Sequence, residues 1–263
     1  MKKLDIIKKI TQKKEFSQLP NKDVLLAFEN FNNDNYSDIE KIKLSRNLLR
    51  KIFSSFSSRK LLSFKNKEEA WFLNKHLSTR ERFTHYEEIY SRIFKGMNKN
   101  LTVIDLGAGI NGLSYPFFKK IGFNVEYVAV EAVGQFIDLM NKYFKINGIN
   151  GSAVHLSLFE LQELKKILKK SKKPRVIFLF KTIDSLEMLK RDYSKQLISQ
   201  LSPLCDKFVV SFATRSMVKK KRFNVKRKWI ITFLEENFEI LDGFEFSGEK
   251  YFVLRNKIFK KDL

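Results

Sequence analysis

The 263-residue sequence holds a single cysteine, Cys205, and three histidines. A lone cysteine excludes a disulfide framework within the chain and a multi-cysteine zinc site, and it fits a reducing cytosol. Cys205 stands just before an apolar run, the place for a small residue near the core and not for a nucleophile. His76, His85 and His155 show no metal-ligand spacing and are assigned structural roles, so no metal is expected. No apolar run approaches the roughly 18 residues that a membrane span needs. Charges recur through the N-terminal stretch with no apolar segment behind them, so a signal peptide is not expected.

Acidic residues are also scarce. Asp and Glu total 29 against 51 Lys and Arg, for a net charge of +22. The compositional bias of an AT-rich genome accounts for part of the lysine, but not for the shortage of acids. An excess this large suits a polyanionic partner, because cations neutralising phosphates dominate nucleic-acid affinity.

The patterning divides the chain. Leu4, Ile7 and Ile10, then Ile42, Leu48, Leu49, Ile52 and Phe53, recur at helical spacing. Asn32, Asn33, Asp34 and Asn35 mark a loop and Ser54 to Ser58 a softer break. Glu68 to Phe94 reads as two helices, with Ser78 or Thr79 as an N-cap. Residues 1–96 therefore form a helical N-terminal subdomain and 97–263 an α/β domain. In the latter, strands are expected at Thr102 to Leu106, Val125 to Val130, Ala153 to Leu156, Arg175 to Phe180 and Phe208 to Phe212, with helices between them such as Gly134 to Ile146 and Leu158 to Leu168. This alternation predicts a parallel sheet covered on both faces. Phe238 to Leu241 and Tyr251 to Leu254, joined through Asp242, Gly243, Ser247 and Gly248, predict a closing antiparallel hairpin. Lys165 to Lys173 reads as a solvated helix end.

Between the first strand and a helix the chain reads Asp105-Leu-Gly107-Ala108-Gly109-Ile-Asn-Gly112, a G-x-G-x-x-G pattern. Such glycines permit a tight turn and close approach of backbone to ligand. Glu131 ends the second strand, where a carboxylate can accept two hydrogen bonds from ribose hydroxyls. The pair specifies an adenosine-type cofactor, S-adenosylmethionine or NAD. The terminal hairpin and Asp105, two residues ahead of the first glycine, favour the methyl donor.

Three further stretches carry more specific information. Residues 76 to 90 read His-Leu-Ser-Thr-Arg-Glu-Arg-Phe-Thr-His-Tyr-Glu-Glu-Ile-Tyr, residues 178 to 187 Phe-Leu-Phe-Lys-Thr-Ile-Asp-Ser-Leu-Glu, and residues 209 to 216 Val-Val-Ser-Phe-Ala-Thr-Arg-Ser. With the glycine loop, they resemble the aminoglycoside-resistance 16S rRNA (guanine 1405-N7) methyltransferases, in order from about residue 70 to the C-terminus. The resemblance implies a class I, Rossmann-like methyltransferase with a mostly parallel seven-stranded sheet and an antiparallel C-terminal hairpin. It implies S-adenosylmethionine as cofactor and rRNA of the small subunit as partner. Arg80 or Arg82, with Arg82 preferred, would hold the cofactor carboxylate. Asp105, Gly107, Ala108 and Gly109 would line the methionine and ribose, and Glu131 would hold the ribose. Lys181 would lie near cofactor and target base. Ser157 stands where family members tend to have an Asp close to the adenine. Gly112, Ala213 and the Asp184-Ser185 pair stand where members have Pro, Pro and Pro-Cys. Asp184 is also placed to accept a proton if an exocyclic amine were the target.

Thr214, Arg215 and Ser216 would sit where the fifth strand opens toward RNA. The cations Lys219, Lys220, Lys221, Arg222, Lys226, Arg227 and Lys228 follow directly and are read as phosphate contacts. The basic helices before residue 97 would be a second RNA-docking surface. Three other readings stay open at this point: a methyltransferase acting on another RNA or base position, a nicotinamide-dependent oxidoreductase, and a non-catalytic RNA-binding protein with a degenerate cofactor fold.

Overall fold

A computed structural model describes residues 2–54, 68–214 and 227–257. Its helices are α1 (Lys3–Thr11), α2 (Asn21–Glu29), α3 (Asp38–Leu49), α4 (Glu69–Lys75), α5 (Leu77–Arg82), α6 (Tyr86–Ile93), α7 (Tyr115–Lys120), α8 (Gly134–Ile146), α9 (Leu161–Lys170), α10 (Ile183–Leu189), α11 (Tyr193–Leu201) and α12 (Lys228–Asn237). Its strands are β1 (Asn100–Leu106), β2 (Asn124–Glu131), β3 (Gly151–His155), β4 (Arg175–Phe180), β5 (Lys207–Ala213), β6 (Phe238–Phe246) and β7 (Glu249–Asn256). They form one seven-stranded sheet in the order β3-β2-β1-β4-β5-β7-β6. β1 to β5 run parallel, and β7 lies antiparallel to both β5 and β6. This is the mostly parallel seven-stranded sheet with a closing antiparallel hairpin that the sequence predicts.

The strands are apolar on both faces because both faces are covered. Alternate side chains enter two cores. Ile104, Val128, Ile177, Val210 and Leu254 face one, against α1 to α3 and α9 to α12. Val103, Tyr127, Phe178, Val209 and Val253 face the other, against α4 and α6 to α8. The second core is aromatic. The Tyr90 ring lies 4.2 Å from Phe118 and 5.9 Å from Phe178, centroid to centroid. Each such buried ring contributes roughly 1.5–3 kcal/mol in area removed from water. The helices preceding the sheet thus divide between its two faces.

Several local expectations are corrected. Asp242 and Gly243 do not lie in the hairpin turn. They lie within β6, which is bulged between Ile240 and Asp242, and the turn is confined to Ser247 and Gly248. Asp242 and Gly243 pair in register with Val253 and Phe252 of β7, and Arg92 of α6 pairs with Asp242 at 2.6 Å. Ser78 and Thr79 cap no helix. The segment breaks at His76, and the Thr79 hydroxyl donates backward to the Leu73 carbonyl at 2.7 Å. The Ser54 to Ser58 break falls almost wholly outside the described residues.

The carboxyl ends of β1, β2 and β4 open into one cleft, the usual ligand edge of such sheets. The N-terminal helices help wall it, through Asp23 of α2 and through Ile52 and Phe53 of a π-helical turn, Arg50–Ser54, that follows α3.

Candidate active site

The cleft encloses about 880 Å3, counted out to its open mouth. Its floor is the glycine loop after β1. Gly107 and Gly109 have φ of 72° and 56°, a region that costs side-chain-bearing residues strain. Space forbids side chains as well. A Cβ on Gly107 would stand 2.8 Å from the Thr182 hydroxyl, and one on Gly109 3.2 Å from the His76 ring. The backbone N–H of Gly107 donates to the Val130 carbonyl at 2.8 Å, tying the loop to β2. Gly112 has no positive φ. It is required because a Cβ there would meet Phe144 at 2.7 Å.

Asp105 and Asn111 brace the loop from below. Asp105 is 1% exposed and accepts from the Asn111 amide at 2.7 Å and from the Tyr127 hydroxyl at 2.5 Å. Burial raises its pKa, and those two hydrogen bonds oppose the rise. Asp105 is thereby tied to both the loop and β2.

Glu131 is buried at the tip of β2. Its Oε1 accepts from the backbone N–H of Ala132 and of Val133, each at 2.9 Å, and its Oε2 accepts from that of Gly109 at 2.7 Å. Burial raises its pKa against these three bonds. A carboxylate offers about four acceptor positions. One position on Oε2 is left for a ligand, not the two that the expected double ribose contact would need.

The β4–β7 side of the cleft holds charges. Arg82 is 3% exposed and stacks 4.8 Å from the Phe180 ring. Its Nε donates to Glu249 at 2.9 Å, one terminal nitrogen to Ser78 at 2.9 Å and the other to Asn111 at 3.4 Å. These bonds use three of its five guanidinium N–H groups, and the buried Tyr86 hydroxyl lies beside the same guanidinium. Lys181 Nζ lies 3.1 Å from Glu249 and also pairs with Glu81. Lys181 has φ of 55°, unusual for a residue with a side chain. Its N–H donates to the Ser211 carbonyl at 3.0 Å, which holds that turn. Burial opposes ionisation of Glu249. The charges of Arg82 and Lys181, with hydrogen bonds from Arg82 and the Ser211 hydroxyl, overcome it and keep its pKa below the ordinary value. His76 lines the same end. Burial and then the charges of Arg82 and Lys181 push its pKa down to about 3, so it is a neutral imidazole at physiological pH.

The cleft brings together Arg82, Asp105, Gly107, Ala108, Gly109, Glu131 and Lys181. Three expected members do not join them. Arg80 is exposed on the outer side of α5. Ser157 is wholly buried, and its Oγ accepts from the Phe159 N–H at 3.1 Å behind the lining. Asp184 is half exposed on α10, paired at 2.7 Å with Arg227, so it faces away from the cleft. Arg227, read as a phosphate contact, is instead 8% exposed and stacked 4.9 Å from the Phe212 ring. The Thr214 hydroxyl donates to Glu245 at 2.7 Å. Arg215, Ser216, Lys219, Lys220, Lys221, Arg222 and Lys226 lie outside the described residues. His85 stacks on Phe246 and His155 hydrogen-bonds the Ala132 carbonyl. Burial raises the Cys205 thiol pKa far from a nucleophile's range.

Sequence reasoning missed Glu249, Asn111, Ser78, Thr182 and Asp23. Asn111 and Ser78 lie inside motifs already singled out. Glu249 and Asp23 carry no motif at all.

Residues 47–240, well over half of the chain, match the family model described as ribosomal RNA methyltransferase (FmrO). The chain belongs to this family. It is 29% identical over 148 residues to the 16S rRNA (guanine(1405)-N(7))-methyltransferase of Micromonospora rosea, covering 56% of this chain and 50% of that one. The enzyme of the same name from Proteus mirabilis is 33% identical over 76 residues, 26% of this chain and 27% of that one. The chain spans half or less of the length of the curated relatives it matches. Among solved structures, the 16S rRNA methyltransferase RmtF in complex with S-adenosyl-L-homocysteine superposes with a TM-score of 0.77 at 20% identity, covering 98% of this chain and all of that one. The 16S rRNA methylase RmtB gives 0.73 at 17% identity over 97% and 98%. At these identities the structures establish the shared fold.

Proposed function

We propose that this protein transfers a methyl group from S-adenosylmethionine to N7 of a guanine in the decoding region of small-subunit rRNA. The observation that carries the reading is the juxtaposition, in one cleft, of the Gly107–Gly109 loop, the Glu131 carboxylate and the Arg82–Lys181–Glu249 cluster. The residues fit the cofactor. Glu131 keeps one acceptor position for a ribose hydroxyl, and the Arg82 guanidinium lines the cleft as a charged donor for a carboxylate. Two cations and the two carboxylates of Glu81 and Glu249 cancel at that end, which suits the zwitterionic amino-acid portion of the cofactor.

When bound, the cofactor supplies an electrophilic methyl on a sulfonium leaving group. Guanine N7 carries a lone pair and no proton, so the chain needs no general base. The neutral His76, and Asp184 turned to the surface, accord with that. What the residues must do is hold N7 in line with the methyl at roughly 3 Å, in a site that excludes water. The target base would be drawn out of its stack to reach the cleft.

The helices before residue 97 are proposed to dock the RNA. A groove between α1 and α3 lined by Lys9, Lys13, Lys43, Arg46 and Arg50 supports this. Lys219 to Arg222 are the proposed phosphate contacts. Replacing them should weaken RNA affinity and flatten its salt dependence without changing S-adenosylhomocysteine affinity.

The deciding experiment incubates the protein with radiolabelled S-adenosylmethionine and either intact small subunits or naked rRNA. Label released as 7-methylguanine from a decoding-region guanine is expected. Label at another nucleotide or on an exocyclic amine would overturn the target, and failure to bind cofactor would overturn the activity.

A further inference from the structure

Asp23 has no part in the chemistry above, yet it is among the least exposed charged side chains of the molecule. It projects from α2 into the cleft, is 3% exposed, and its Oδ2 has no hydrogen-bond partner. Buried polar atoms are normally satisfied, so an orphaned carboxyl oxygen aimed into a cavity points to a donor on a ligand. Asp23 sits on the β2–β3 side of the cleft, where it feels the Glu131 charge and hydrogen-bonds with Ser157. The walls beside it are apolar: Ile52, Ala132, Leu158, Phe159, Leu186 and Leu189. The Phe159 N–H is already given to Ser157. This end therefore offers a flat apolar slot with one carboxyl at its edge.

The inference rests on reading the cleft as an S-adenosylmethionine site. Glu131 then marks the ribose. The amino-acid portion lies toward Arg82 and Lys181, so the base must lie on the other side of Glu131, in the slot that Asp23 edges. An adenine has apolar faces and one exocyclic amine on its rim. We propose that Asp23 selects the adenine base of the cofactor by accepting a hydrogen bond from its 6-amino group, a contact made by an N-terminal helix and not by the sheet.

The test is calorimetric binding of S-adenosyl-L-homocysteine and of S-inosyl-L-homocysteine, which carries a 6-oxo group in place of the amine, to the full chain. It is run at about pH 8.5, where a carboxyl whose pKa burial raises to about 7 is ionised. The wild type is expected to prefer the adenosyl ligand by at least about tenfold, because an ionised acceptor facing a 6-oxo oxygen is left unpaired. In Asp23→Asn the side-chain amide can present its oxygen to an amine or its nitrogen to an oxo group. That variant is expected to bind both ligands within about threefold of each other. Thermal melting confirms that it is folded. Asp23→Asn retaining the wild-type preference, or a wild type that binds both ligands alike, overturns the role of Asp23 and leaves the methyltransferase reading standing. A wild type that binds neither overturns both.

Discussion

The two ends of the cleft solve the problem of buried charge in opposite ways. On the β4–β7 side, Arg82, Lys181 and Glu249 are each at most 5% exposed and pair at 2.9 and 3.1 Å, with Glu81 supplying the second negative charge that balances them. On the β2–β3 side, Asp23 is as deeply buried with one oxygen unpartnered, and burial raises its pKa to about 7. The contrast shows that burial alone does not set the charge state. Partners do. A cluster whose charges cancel stays ionised and rigid in the absence of ligand, whereas a carboxyl among apolar side chains and two other acids takes up a proton.

Breaking the cancelled end should have the largest effect. Glu249→Gln leaves Arg82 and Lys181 without their shared counter-charge, and unfolding in urea should show a loss of about 3–5 kcal/mol. A loss under about 1 kcal/mol would mean that the cluster relaxes to water. Gly109→Ala comes next. Its φ of 56° and the His76 ring 3.2 Å from the new Cβ should cost about 1–3 kcal/mol and weaken S-adenosylhomocysteine binding, measured by melting and calorimetry.

The third prediction separates the two ends by pH. Asp23 faces Ser157, Glu131 and Glu160, and Tyr193 from α11. Its raised pKa means that the folded state holds a proton which the unfolded chain releases, so the stability it contributes is lost as pH rises from about 4 to about 7. His76 acts in the opposite sense. Its pKa is depressed to about 3, so the stability it contributes is present above its ordinary value and lost as pH falls. Asp23→Asn should gain stability relative to the wild type as pH rises, and His76→Asn should gain as pH falls. Parallel curves for wild type and Asp23→Asn would refute the Asp23 half.

The smallest effect is expected away from the cleft. Arg255 pairs with Glu239 at 2.8 Å, as close as the buried pair, but with both side chains about half exposed. Arg255→Ala should cost less than about 1 kcal/mol and lose even that in high salt.

Much of this architecture was legible from residue order. β4 occupies Arg175–Phe180 and α8 Gly134–Ile146, as their apolar periodicity required. The glycine loop and the carboxylate ending β2 were read from spacing. Asp184 and Arg227 were read as functional because each lay in or beside a suggestive stretch, and they proved to be each other's partner. Asp23 was overlooked because an acid in the first turn of a short helix is an ordinary helix-dipole residue. Only its position over the cleft makes it unusual.

What the sequence determined by itself is local or periodic: strands by alternation, helices by 3.6-residue spacing, and a turn by glycines, which adopt φ near +60° at least cost. What only the tertiary structure decided is which charges meet. Glu249 reaches Arg82 across 167 residues of chain, and Lys181 reaches Glu81 across 100. Sequence spacing carries no information about such pairs, because the energy of a charge depends on distance and dielectric, and both are set by the packed fold.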